Sequence, residues 1–180
     1  MGCSNSHVSG NTVAIAANPD SLGSTGETII PLSTEQKTIV RETWKVIEPN
    51  KKDFGVNVYV RFLTEYPTFK SLFPEFKDIP LHKVNKRNVH VKRLVAALEK
   101  TVSSLDDVET FSRYLFELGR RHADLRIKPT KSQFRKLKLA VLDSMKEFLP
   151  SIWSSEAEDC WGLLFDVVAS IMLTGINSKG

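Results

Sequence analysis

Asp107-Val108-Glu109-Thr110-Phe111-Ser112-Arg113-Tyr114-Leu115-Phe116-Glu117-Leu118-Gly119-Arg120-Arg121-His122-Ala123-Asp124-Leu125 is the stretch that decides how this chain folds. Phe111, Leu115, Leu118, His122 and Leu125 recur at spacings of four, three, four and three. That period puts them on one stripe of an amphipathic helix, because residues three and four apart lie above one another on a helical surface. Asp106 and Asp107 stand where helix-opening caps are favoured. A histidine therefore belongs to a stripe of core-facing residues, and the helix carrying it is expected to run to about Leu125.

The same period extends in both directions. Ser33 and Gln36 form a capping box ahead of Val40, Trp44 and Ile47. A second amphipathic stretch runs from about Phe54 to Tyr66, with Val58, Tyr59, Phe62 and Leu63 on one side, and Pro67 ends it. A long pattern from about Lys83 to Ser104 aligns Val91, Leu94, Val95, Leu98 and Val102, with His90 one turn before Leu94. Beyond Pro129, Thr130 and Gln133 form another capping box for Phe134, Leu137, Val141, Met145 and Phe148. The last helix starts near Ser155 with Glu158 and turns Trp161, Leu164, Phe165, Val168 and Met172 inward. No alternating strand pattern interrupts the series, so the fold class is all-α. The turn Thr68 to Lys77 holds Phe69, Leu72, Phe73, Pro74 and Phe76. That aromatic density suits either a core corner or a wall for something flat and apolar.

Residues 1–31 read differently. They are rich in Ser, Asn, Gly and Thr, lack Lys and Arg, and carry only Asp20 and Glu27, so their −2 and the +6 of the rest of the chain give the overall +4. This is the composition of a flexible leader. Met1-Gly2-Cys3-Ser4-Asn5-Ser6 fits the N-myristoylation pattern at Gly2. One myristoyl chain binds membranes only marginally, and the leader has no basic patch, so Cys3 is read as the site of a second, palmitoyl chain. The expected organisation is an acylated leader over 1–31, a helical domain over 32–176 and a short flexible end over 177–180. Elsewhere cations alternate with acids, which speaks against a nucleic-acid partner. No run reaches the roughly 18 consecutive apolar residues of a spanning helix, so membrane attachment is expected to be peripheral. Cys3 and Cys160 are too few for a disulfide framework, and Cys160, beside Trp161, reads as a small buried hydrophobe.

Of four histidines, His7 falls in the leader and His82 in a loop, while His90 and His122 lie on apolar-facing helix positions. A lone histidine there is more commonly a hydrogen-bonded core residue than a ligand. Zinc would need four nitrogen or sulfur ligands, and no Cys-Cys or His-x₃-His set completes one. Haem asks for less: the porphyrin supplies four nitrogens, and the protein need offer only one imidazole, or two on opposite faces, in an apolar crevice.

At this point a resemblance covers about Leu32 to Ile176. Leu32-Ser33 with Trp44, Arg61-Phe62-Leu63 before Pro67 and Phe73, His90 with Leu94, and Leu118-Gly119-Arg120-Arg121-His122 before Ile127 and Pro129 occur in the order and at the separations of the globin family. The resemblance implies a three-over-three helical sandwich holding non-covalent haem b. It implies Phe73 packed on the haem ring, His122 as the proximal iron ligand, and His90 and Leu94 on the distal side. Leu118, Ile127 and Phe134 are expected to line the same crevice. The leader is similar to that of the acylated, membrane-associated globin X branch, in which histidines take both axial iron positions, so His90 is expected to bind reversibly.

Five residues depart from or add to the common pattern, among them Leu94, which replaces the commoner valine above the iron and is expected to tighten the distal pocket. Tyr59 stands at a distal-side position usually filled by leucine or phenylalanine. Its hydroxyl is either a donor to bound oxygen or to His90, or that of a core tyrosine reaching solvent. Arg121 replaces a serine that commonly orients the proximal imidazole, which leaves the partner of the second His122 nitrogen open. Arg93 and Arg126 stand where a cation meets a haem propionate, although solvated surface charge fits each equally.

The resemblance implies electron transfer or redox chemistry with O₂, NO or nitrite, on the cytoplasmic face of a membrane such as the plasma membrane. Nitrite reductase or NO dioxygenase turnover, with His90 or Tyr59 as the distal group, would require a reductase partner. Haem-dependent sensing through a partner and oxygen storage are the other readings.

Overall fold

The computed structural model describes residues 30–125 and 127–178. Gly2, Cys3, His7 and Arg126 lie outside the described residues, as do positions 179–180. Among the described residues the chain is helical throughout: α1 Thr34–Ile47, α2 Lys51–Glu65, α3 Val89–Ser103, α4 Val108–Ala123, α5 Lys131–Phe148 and α6 Ser155–Asn177. Short 3₁₀ turns at Glu48–Asn50, Pro67–Leu72 and Leu81–Lys83 join the first three.

Local chemistry sets these boundaries. The Ser33 hydroxyl accepts the Gln36 amide at 3.2 Å while the Gln36 side chain accepts the Ser33 amide at 2.9 Å. Two of the helix-end donors that α1 leaves without carbonyl partners are thereby satisfied. Thr130 and Gln133 repeat the arrangement at the start of α5. Asp107 caps α4 by accepting the Thr110 amide at 2.9 Å, whereas Asp106 turns away to pair with Arg41 and Lys37 of α1. For α6 the capping hydroxyl belongs to Ser154, one residue before the expected start.

Two helices differ from their expected extents. α3 begins at Val89 rather than near Lys83 because asparagine side chains compete for the backbone there. The Asn85 amide donates to Asn88 Oδ1 at 2.7 Å, and Asn85 Oδ1 accepts the Arg87 amide at 2.9 Å. α4 stops at Ala123, so Leu125 leaves the stripe and is 47% exposed. Its amide reaches back to the His122 carbonyl at 3.3 Å in a turn that closes the helix.

The six helices pack as crossed pairs: α4 lies along α6, α2 contacts both α3 and α5, and α1 lies against α6. By length and composition α6 alone among the described residues could cross a membrane. It packs against α1, α4 and α5, and its Trp161 and Leu164 are buried. Trp44, Phe54, Phe148, Trp161 and Phe165 form one connected chain of ring contacts.

One polar contact is built into this core. The fully buried Trp161 indole N–H donates to Thr43 Oγ1 at 2.8 Å, and Thr43 in turn donates to the Ile39 carbonyl at 2.7 Å. Thr43→Val keeps the shape and orphans a buried donor. The variant is expected to be less stable by about 1–3 kcal/mol, seen as a lower urea midpoint with an unchanged slope. Thr43→Ser should retain most of the stability, and an unchanged midpoint in Thr43→Val would mean that the indole finds another partner.

Candidate functional site

His122 is the penultimate residue of α4, in a last turn that also holds Arg120 and Arg121. Cations at a helix C-terminus complement the negative end of its dipole. The expected burial is only partly realised, since His122 is half-buried. Its Nδ1 lies 2.8 Å from the Leu118 carbonyl one turn earlier. A carbonyl can only accept, so Nδ1 carries the hydrogen and donates, and in the neutral ring the lone pair sits on Nε2. Leu118 therefore contributes its backbone as well as its half-buried side chain. The orienting partner that Arg121 left open is the chain's own helix.

His90 is the second residue of α3 and is also half-buried. Its ring lies edge-on to Phe73 at 5.1 Å and near Phe76 and Tyr59 at 6.1 and 6.5 Å. Phe73, Phe76 and Tyr59 also touch one another, with centroids 5.2 to 5.7 Å apart. The aromatic turn after α2 is thus gathered around an imidazole. Leu94, one turn further along α3, is half-buried and packs on the core.

The second ring nitrogen of His90 is engaged by a residue that the sequence did not mark. Glu75 Oε1 lies 2.7 Å from His90 Nδ1, and the same carboxylate accepts the amides of Val89 and His90. Burial works against ionising Glu75, but hydrogen bonds from the His90 and Val89 amides, the His90 ring and Asn88 outweigh it. They hold its carboxyl below the usual range. An ionised carboxylate only accepts, so His90 Nδ1 donates to it, and in the neutral ring the lone pair sits on Nε2. The available signal was one acid, Glu75, in an otherwise aromatic turn.

Tyr59 is 5% exposed. Burial first, and then the charge of Glu75, raise its pKa against the opposing charge of Arg93, so the phenol keeps its proton. Its ring packs against Phe73, Phe76 and His90. Arg93 is exposed on α3. Phe134, on the first turn of α5, is half-buried and also lines an open groove of about 830 Å³ between α5 and α6. Ile127 lies on the loop after α4 and is 56% exposed, outside the packed core.

The donor set fits haem. Iron in a porphyrin needs axial lone pairs held in apolar surroundings, with the remote imidazole nitrogen engaged to fix tautomer and ring orientation. Both histidines meet the tautomer condition, by different partners, and the rings of Phe73, Phe76 and Tyr59 surround His90. Among the described residues no cluster of three His, Cys, Asp or Glu offers a competing metal site.

Known proteins share this fold and its sequence pattern. Residues 56–172 match the family model described as Globin. The chain is 28% identical over 142 residues to Cytoglobin-1 of Oryzias latipes, spanning 77% of this chain and 80% of that protein. It is 33% identical over 99 residues to Globin-2 of Mordacia mordax, spanning 53% of this chain and 66% of the other. Among solved structures, the fold is similar to a hexacoordinated heme protein from an anhydrobiotic tardigrade, with a TM-score of 0.74 at 18% identity, covering 82% of this chain and 96% of that one. It is likewise similar to the hemoglobin of the botfly Gasterophilus intestinalis, with a TM-score of 0.71 at 18% identity, covering 81% and 99%. The family match spans most of the helical region and includes the aromatic turn, His90 and His122, so the chain belongs to the globin family and its cofactor is haem.

Proposed function

We propose that this globin binds haem iron through two histidines, His122 permanently and His90 reversibly, and uses it for electron transfer or redox chemistry with O₂, NO or nitrite. The carrying observation is that each imidazole has its Nδ1–H already donated, to Leu118 and to Glu75, which leaves Nε2 as the free donor on both. The bound haem supplies the redox-active iron. His122 holds it from a helix packed on the core, and His90 competes with outside ligands from the start of α3. If the His90-free form is a fraction f of the population, apparent ligand affinity falls by 1/f. Such competition suits gated redox chemistry better than oxygen storage. Tyr59, buried and protonated beside His90, or His90 itself would serve as the distal proton donor.

The optical spectrum tests the ligand set. The ferrous wild type is expected to be low-spin with sharp split visible bands, and His90→Ala to keep haem while losing that pattern. A high-spin, five-coordinate wild type would overturn two-histidine ligation.

The leader supports a further part of the reading, attachment to the cytoplasmic face of a membrane in the manner of the globin X branch. The support is the Met1-Gly2-Cys3 pattern together with the need for two lipid chains. In eukaryotic cells the protein is expected to carry myristate on Gly2 and palmitate on Cys3 and to sediment with membranes. Gly2→Ala should abolish both modifications, and Cys3→Ser should keep only myristate and weaken attachment. A wild type without acyl mass in the soluble fraction would end this part of the proposal while leaving the haem chemistry intact.

A further inference from the structure

Glu75 makes four contacts with one carboxylate. Oε2 accepts the Val89 amide at 2.7 Å and lies 3.4 Å from Asn88 Nδ2, while Oε1 accepts the His90 amide and meets the His90 ring at 2.7 Å. Asn88, the residue at the N-cap of α3, makes no side-chain cap of its own. The helix start is therefore capped from outside, by an acid 14 residues earlier on the aromatic turn. Oxygens of one rigid carboxylate hold both the helix backbone and the ring projecting from it, so their relative position is fixed. Phe73 and Phe76, on either side of Glu75 in sequence, also flank the ring.

We propose that Glu75 is a positioning residue that holds His90 with Nε2 as the iron-directed nitrogen and thereby favours the six-coordinate state. The inference rests on the reading of His90 as the distal ligand. A carboxylate on the remote nitrogen makes an imidazole a stronger donor and restricts its rotation, and losing such a partner commonly weakens metal affinity about 10–100-fold. A tenfold loss in His90 affinity would raise the open fraction f by up to the same factor and tighten apparent binding of an external ligand accordingly. The stronger donor also favours ferric over ferrous iron, so Glu75 should lower the midpoint potential.

The test compares wild type, Glu75→Ala and the double variant Glu75→Ala/Asn88→Asp, each as the full chain loaded with haem. Asp at the N-cap restores a capping acceptor to α3 without restoring the bond to the ring. Readouts are the ferrous spectrum, the apparent affinity for carbon monoxide and the midpoint potential. Both variants are expected to lose low-spin character, bind carbon monoxide about tenfold more tightly and shift to higher potential. Wild-type behaviour in Glu75→Ala, or a stronger six-coordinate signature, would overturn the proposal. So would recovery of wild-type behaviour in the double variant, since Glu75 would then act only as a cap. If the wild type itself lacks a six-coordinate spectrum, the reading of His90 falls first and this inference falls with it.

Discussion

Replacing His122 with alanine removes the haem, and not only its spectrum. The purified His122→Ala protein is expected to carry at least about tenfold less haem per chain, a loss of ~1.4 kcal/mol or more in binding, while far-UV circular dichroism still reports a helical fold. The contrast with His90→Ala, which should keep its haem, follows from where the two imidazoles stand. His122 is oriented by a carbonyl of its own helix, four residues back, and that helix lies along the core helix α6. Its donor position is therefore as fixed as the fold. His90 stands at the beginning of α3, beside the turns at 81–88, and is oriented by a side chain from a non-helical segment. Imidazole added during haem loading should recover part of the occupancy of His122→Ala, because only the donor is missing. Full occupancy with an unchanged spectrum in His122→Ala would show that the proximal assignment is wrong.

The sequence carried the helices because helical burial is periodic and helix starts are chemical. The boxes at Ser33–Gln36 and Thr130–Gln133 could be read from residues three apart, and both are formed. Periodicity overran where it had no means of stopping. The apolar spacing continues through Leu125, but the helix ends at Ala123. The stripe before His90 reaches back towards Lys83, where asparagine side chains hold the backbone in turns. The candidate site was marked by two imidazoles on apolar stripes and a dense run of aromatics, but their assignment as ligands came from the resemblance to globins and not from residue type. What escaped was the partner of each ring. For His122 the partner is a main-chain carbonyl, which every residue has, so side-chain types could not single it out. For His90 it is an acid 15 residues away across a turn of no regular period. The three-dimensional path of that turn, and not its composition, brings Glu75 under the first amides of α3.

The second large effect lies one turn before His122, at Gly119. A Cβ built there would sit 2.1 Å from the Met172 carbonyl oxygen and 2.9 Å from its carbonyl carbon. On the opposite helix, a Cβ at Gly175 would sit 2.2 Å from the Phe116 carbonyl oxygen. Neither glycine has positive φ, so what each provides is space. The obstacles are backbone atoms, and no rotamer change relieves them. Gly119→Ala must push α4 off α6, and a gap of about 0.5–1 Å forfeits a quarter to a half of each contact's dispersion energy along the seam. Alanine regains about 1 kcal/mol of helix propensity over glycine, which the separation outweighs. A net loss of about 2–4 kcal/mol is expected, at or above the usual cost of overpacking. Because His122 follows three residues later on the helix that moves, haem affinity should fall with stability. Gly162→Ala is the control: it lies on the same α6, and its Cβ would meet nothing within 4 Å. That substitution should stabilise by about 0.4–1 kcal/mol and leave haem binding alone. Urea unfolding and haem titration of the two variants separate the explanations. Were Gly119→Ala as stable and as tightly loaded as wild type, the close approach of α4 to α6 would not be what places His122.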